Sequence, residues 1–238
     1  LAAGGVTVKS ERYSINADNS ATLIKVGTDS WDFVGQNSEL FTAGSVEYAN
    51  KTTYVKAEES SPIGIAISSD GTKMYMVGNN GDSVYQYTLS TAWDVSTATY
   101  ASKSKLVSAE STLPAGVEFS SDGTKMYVVD SYKRVVYQYT LSTAWDVSTA
   151  TYASKSASVT AEVANAKDIE FSSDGTKMYA LDSNTDAVYQ YTLSTAWDVS
   201  TATYASKSKS IITEDGASTG ISFNSAGTKL HVSSTGSN

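Results

Sequence analysis

The sequence predicts an all-β fold, a β-propeller of four-stranded blades with a 52-residue repeat and a short N-terminal β module, and three observations carry that prediction. A block that opens SSDGTKMY and runs on through VYQYTLSTAWDVSTATYASKS recurs at a constant step of 52 residues. Each copy holds four short runs in which apolar and polar residues alternate, the period of a half-buried strand. Only 2 prolines occur in the 238 residues, Ser, Thr, Tyr and Val abound, and no long segment has the apolar period of a helix. One four-stranded sheet cannot bury both its faces alone, so sheets repeated at this period stack around a common axis.

The elements follow in order. DGTKMY at 70–75 returns at 122–127 and 174–179, and a degraded copy, AGTKLH, stands at 226–231. In the first copy Ile63, Ile65 and Ile67 predict an inner strand. It ends in Ser68-Ser69-Asp70-Gly71, where Asp bonds backbone two residues on and Gly accepts positive φ. Residues 73–77 give the second strand and residues 84–89 the third, separated by Asn79-Asn80-Gly81-Asp82. The connection 90–97 carries Trp93-Asp94 and leads to a fourth strand at about 99–107. Ile65, Val117, Ile169 and Ile221 align as inner-strand core, as do Ile67, Phe119, Phe171 and Phe223. Propeller repeats are therefore expected over 44–238, with blades at about 61–112, 113–164 and 165–216 and a partial one at 217–238. Residues 45–48 and 52–56 read as the two outer strands of a closing blade, which leaves a four-bladed ring and the opening part of a larger ring as alternatives. Residues 1–43 match the repeat poorly and predict an N-terminal arm or attachment module. Its expected parts are a strand at 6–9, a hairpin through 16–19 and a strand at 31–35. The start at Leu1, without a basic and apolar leader pattern, fits a removed leader or part of a longer chain.

Composition excludes several classes of function. A net charge of -8 argues against nucleic acid or an anionic membrane surface as partner, since both require a basic face. No cysteine is present, so disulfides and thiolate metal sites are impossible, and no apolar run approaches a membrane span.

GIAISSDGTKMYMVGNNGDSVYQY and its copies resemble the blade motif of the YVTN and lactonase-like β-propellers, in which an inner strand, an Asp-Gly turn and a Tyr-Val strand follow in this order. The resemblance covers about residues 61–238. The extension YQYTLSTAWDVSTATY is similar to repeats in marine bacteriophage fibre-like and bacterial surface proteins. Lactonase-like relatives use side chains that converge on the central channel. Here the inner strands offer Glu118, Asp168 and Glu170, where the first copy has Gly64 and Ala66 and the fourth Gly220 and Ser222. Such carboxylates either line a solvated channel or suit a cation.

Other candidates are weaker. His231, the single histidine, takes the place of Tyr75, Tyr127 and Tyr179 and reads as a strand residue. DSNTD at 182–186 has the oxygen spacing of a calcium loop, but Ala187 stands where the loop needs Gly, and no Glu follows in twelfth position. The Trp-Asp pairs at 93, 145 and 197 lie in constant connections and predict packing over the outer edge of each blade. Differences between copies concentrate in the second-to-third strand turns (79–83, 131–135, 183–187) and the segments between blades (105–114, 157–167, 209–218). In a propeller these emerge on one face, which suits recognition. The candidate ligand-binding residues are Tyr132, Lys133, Arg134, Asn80, Asp82, Asn184 and Asp186.

The expected function is that of a non-enzymatic structural or binding protein, extracellular or on a virion surface, with a phage tail-fibre component first by resemblance. No catalytic residue, metal or cofactor is expected. Expected partners are other virion or cell-surface proteins and a host-surface carbohydrate or receptor, without nucleic acid or membrane insertion, in an oligomer. The alternatives are a secreted bacterial adhesin and a lactonase-like enzyme, the last of which requires a convergent acidic or metal-bearing channel.

Overall fold

The computed structural model describes residues 12–14, 22–25, 31–34, 49–212 and 217–235. Three short strands, β1 (Arg12–Ser14), β2 (Thr22–Lys25) and β3 (Trp31–Val34), form an antiparallel sheet in sequence order. Three four-stranded antiparallel sheets follow, each a meander in sequence order. The first holds β4 (Pro62–Ile67), β5 (Lys73–Gly78), β6 (Ser83–Leu89) and β7 (Ala98–Leu106). The second holds β8 (Pro114–Phe119), β9 (Lys125–Asp130), β10 (Val135–Leu141) and β11 (Ala150–Ser158). The third holds β12 (Ala166–Phe171), β13 (Lys177–Asp182), β14 (Ala187–Leu193) and β15 (Ala202–Ser210), and β16 (Ser218–Phe223) pairs with β17 (Leu230–Ser234) in a two-stranded sheet. The inner strands β4, β8, β12 and β16 pack side by side, which is the propeller arrangement that the repeat predicts.

Within a blade the turns explain themselves chemically. Gly123 closes the first hairpin of its blade at φ +69, where a side chain is strained. Asp122 accepts from Ser120 Oγ at 2.6 Å and from the Thr124 backbone at 3.0 Å, fixing the turn around it. The third and fourth strands share a bulge at each repeat, with Ser102, Ser154 and Ser206 at φ near +55, and this strengthens the twist of the outer edge.

Blades are joined by the same contacts each time. Tyr75 Oη donates to the Trp145 carbonyl and Tyr127 Oη to the Trp197 carbonyl, both at 2.8 Å. Gln86 and Gln138 accept from the backbone of Val147 and Val199 in the next blade. Lys103 pairs with Asp146 and Lys155 with Asp198, each at 2.5 Å. Each of these aspartates also caps the 3-10 turn that follows its tryptophan.

Three expectations change. The tryptophans do not cover the outer edge: Trp145 lies between blades, against Tyr75 and Phe119, and Trp197 does the same with Tyr127 and Phe171. A ring that packs on two neighbours buries more apolar area than one on a rim. Residues 52–56 form no strand, because no strand among the described residues pairs with them to make a ladder. Ile65 is 60% exposed whereas Val117 and Ile169 are 2% and 1% exposed, because no blade among the described residues covers the outer face of β4. The strand expected at 6–9, the hairpin turn at 16–19 and the strand at 45–48 lie outside the described residues. No helix among the described residues is long and apolar enough to cross a membrane.

Candidate functional site

An inner strand is a sheet edge, so on one side its backbone N–H groups lack a ladder partner. Carboxylates take that role here. Asp168 on β12 accepts from its neighbour Ile169 and from Ile221 on β16, both at 2.9 Å, and so bridges two inner strands. Glu170 accepts from the Phe223 backbone on β16, and Glu118 on β8 from the Phe119 backbone at 3.0 Å. The space for Asp168 is made by glycines at the equivalent positions of the flanking strands. A Cβ on Gly116 would come within 2.7 Å of Asp168 Oδ1, and one on Gly220 within 3.4 Å of Oδ2. Positions 64, 116, 168 and 220 thus carry three glycines and a single carboxylate that fills the gap between strands.

Two side chains two residues apart on β12 and one on β8 place three carboxyl groups within electrostatic reach of one another. Burial, opposed by two backbone hydrogen bonds, raises Asp168 to about 7. Burial, reinforced by the neighbouring carboxylates, pushes Glu118 up to about 8 and Glu170 to about 9. Like charges this close are not all ionised at neutral pH, so the cluster holds protons there. All three side chains nonetheless remain only half-buried. Glu170 also lines a cleft of about 320 Å³ between the third blade and the β16–β17 sheet, with Ser172, Asp174, Lys177 and Asn224 among its polar lining. At the two preceding junctions the corresponding space is filled by Trp145 and Trp197. No group of three or more His, Cys, Asp or Glu side chains among the described residues is arranged to hold a metal ion.

The candidate recognition residues lie on the second-to-third strand turns of three successive blades and divide in role. Tyr132 is 75% exposed, and Lys133 Nζ donates to the Glu110 carbonyl at 2.6 Å. Asn80 is exposed and donates to Ser60 Oγ; Asn184 is exposed as well. Asp82 and Arg134 are half-buried turn residues at φ +44 and +55. Asp186 is buried and accepts from the backbone of Ala217 and Ser218 and from Ser218 Oγ, so it ties a turn to the segment entering β16. Of the sequence with calcium-loop spacing, Asp182 is likewise spent on the backbone of Ala164, Asn165 and Asn184. His231 lies on β17 opposite Ser222, a strand position as expected.

Sequence reasoning missed the carboxylates that hold this face together. Asp130 binds the backbone of Thr112, Leu113, Tyr132 and Lys133, and Asp182 repeats the arrangement. The first blade has Gly78 at this place, and Glu59 enters from the preceding segment to accept from Ser61 and Gly81. A Cβ on Gly78 would collide with the Glu59 side chain. The signal was present in the copies: where the carboxylate at 78 is missing, an extra one appears at 59 in place of Ser111 and Val163.

No protein-family model and no curated protein matches the sequence. Among solved structures the chain is similar to a protein of unknown function from Desulfotomaculum acetoxidans, at 18% identity and a TM-score of 0.50 over 73% of this chain and 51% of that one. It is similar to a candidate 6-phosphogluconolactonase from Bacteroides uniformis, at 13% identity and a TM-score of 0.50 over 91% of this chain and 61% of that one. The periplasmic gluconolactonase of Pseudomonas aeruginosa matches at 14% identity and a TM-score of 0.45, over 72% of this chain and 46% of that one. The chain thus spans roughly half to three fifths of these proteins. The likenesses at a TM-score of 0.50 show the β-propeller fold, and they do not show the finer likeness to phage fibre repeats. The expectation of a non-enzymatic protein is overturned by a neighbour named as a lactonase. The convergent acidic cluster that the enzymatic alternative required is also present.

Proposed function

We propose that the chain is a lactonase-like propeller hydrolase whose Asp168 and Glu170, with Glu118 beside them, carry out proton transfer on a small cyclic ester of a sugar acid. The observation that carries this reading is the three-carboxylate cluster on adjacent inner strands, held partly protonated near neutral pH. Ring opening needs one base and one acid with separated affinities for the proton. Ionised Asp168 takes a proton from water as the water oxygen bonds the carbonyl carbon. Protonated Glu170 donates to the ring oxygen as the C–O bond breaks, leaving a hydroxy acid. Burial first, and then negative charge on Glu118 and Asp168, strengthens the hold of Glu170 on its proton.

Hydrolysis of aldonolactones followed by acid release tests this. Asp168→Asn and Glu170→Gln are each expected to lower the rate about 100-fold. The wild-type rate is expected to rise through about pH 7 as Asp168 ionises and to fall above about pH 9 as Glu170 loses its proton. Rates equal to the uncatalysed background in the wild type, or unchanged in both variants, would refute the reading.

The exposed Tyr132 favours a second, compatible reading: a binding face for a cell-surface or virion-surface carbohydrate or receptor, in an extracellular setting. Tyr132→Ala with Lys133→Ala is expected to weaken glycan-array binding about 10-fold or more. Binding equal to wild type removes this reading.

A further inference from the structure

We infer that β1, β2 and β3, together with residues 49–56, form a further blade of the propeller, and that the apolar face of the first blade is the surface on which it docks. The β1–β3 sheet is then not a separate attachment module. The repeat step shows this first. Adding 52 to β1 (12–14) gives 64–66, inside β4, and adding 52 to β3 (31–34) gives 83–86, the start of β6. β2 (22–25) maps within β5. Tyr13 pairs with Leu23, and Leu23 with Phe33; in the first blade Ile65 pairs with Met76, and Met76 with Tyr85. β1 and β3 therefore keep the 52-residue register with β4 and β6, and only β2 is displaced, by one residue. The meander order is also the same.

Residues 49–59 supply the second observation, because they already contact the first blade as the outer strand of a preceding blade would. Lys51 pairs with Asp94 as Lys103 does with Asp146 and Lys155 with Asp198. Tyr87 Oη donates to Glu58 at 2.9 Å, as Tyr139 does to Glu110 and Tyr191 to Glu162. Asn50 has φ +54, the bulge conformation of Ser102, Ser154 and Ser206. The third observation is the open face itself. Val55, Ile63, Ile65, Met74 and Met76 line an apolar groove of about 240 Å³ at the position where later blades pack on their predecessors. The occupant that continues this interface is the sheet of the same chain that lies one repeat earlier. It would bring Arg12 onto the innermost strand, in the register of Asp168.

The chain has no cysteine, so single-cysteine variants report the contact directly. In the full chain, Ile65→Cys and Ile63→Cys are expected to react with a thiol dye at least about tenfold more slowly than Thr88→Cys, as a covered site must open first. The protection is expected to persist on dilution. With Ser14→Cys added to Ile65→Cys, the two introduced thiols are expected to be bridged by a short bis-maleimide within one chain. Labelling as fast as at position 88 in both variants overturns the inference. Protection that disappears on dilution assigns the face to a second copy and overturns it too, as does bridging found only between chains.

Discussion

Gly123→Ala is expected to lower the melting temperature by roughly 10 °C, a loss of about 3 kcal/mol for a domain of this size. Two effects add. Residue 123 sits at φ +69, where an L side chain costs about 1–2 kcal/mol. An added Cβ would also overlap the indole of Trp145, which cannot retreat because it is packed between Tyr75 and Phe119 across the blade junction. Moving the ring strains the bond from Tyr75 Oη to the Trp145 carbonyl as well. Gly227→Ala separates the two effects: its φ is +66, yet no atom of the described residues stands within 4 Å of its new Cβ. It should cost only the backbone term, about 1 kcal/mol or roughly 3 °C. Thermal melts followed by circular dichroism decide the matter, and equal losses in the two variants would mean that the tryptophan seat contributes little.

Glu118→Gln is expected to stabilise the protein at alkaline pH and to leave it nearly unchanged at pH 5. The carboxyl titrates at about 8 in the folded chain against an ordinary 4.5, so between those values the folded state binds more protons than the unfolded one. Stability then falls as pH rises through that window, and Glu170 and Asp168 act in the same direction up to about 9 and about 7. The neutral amide removes the burden of burying a charge. Because the group keeps some contact with water, a gain of about 2 kcal/mol, or roughly 5 °C at pH 9, is the expected size. On the acid side the sign reverses. Hydroxyl and backbone hydrogen bonds hold Asp70, Asp122 and Asp174 down to about 2, so their contribution is present above about pH 4 and is lost as the pH falls towards 2. Maximum stability is therefore expected between about pH 4 and 6. A melting temperature that climbs steadily from pH 5 to 9 in the wild type would contradict the buried-cluster account.

The strands were legible because alternation is a local signal. Residues 73–77 and 84–89 appear as β5 and β6 within a residue at each end. The Asp-Gly turns were legible for the same reason, since both partners lie within four residues. The site was only partly legible. Glu118, Asp168 and Glu170 could be placed on inner strands, but their shared electrostatics depend on two strands 52 residues apart lying side by side. Asp186 reads as an exposed turn acid in the sequence and is a buried brace in the fold, because its partners at 217 and 218 are 31 and 32 residues away.

The amino-acid sequence by itself determined the repeat, the four-strand meander of each blade, the turn chemistry and the acidic balance, all of which arise from neighbours in the chain. Tertiary structure alone decided that the tryptophans lock blades together, that Asp186 braces the segment entering β16, and that three carboxyl groups share protons. Each of those depends on one blade stacking against the next. Such contacts join residues a full repeat apart, and no local period encodes which side chains will meet there.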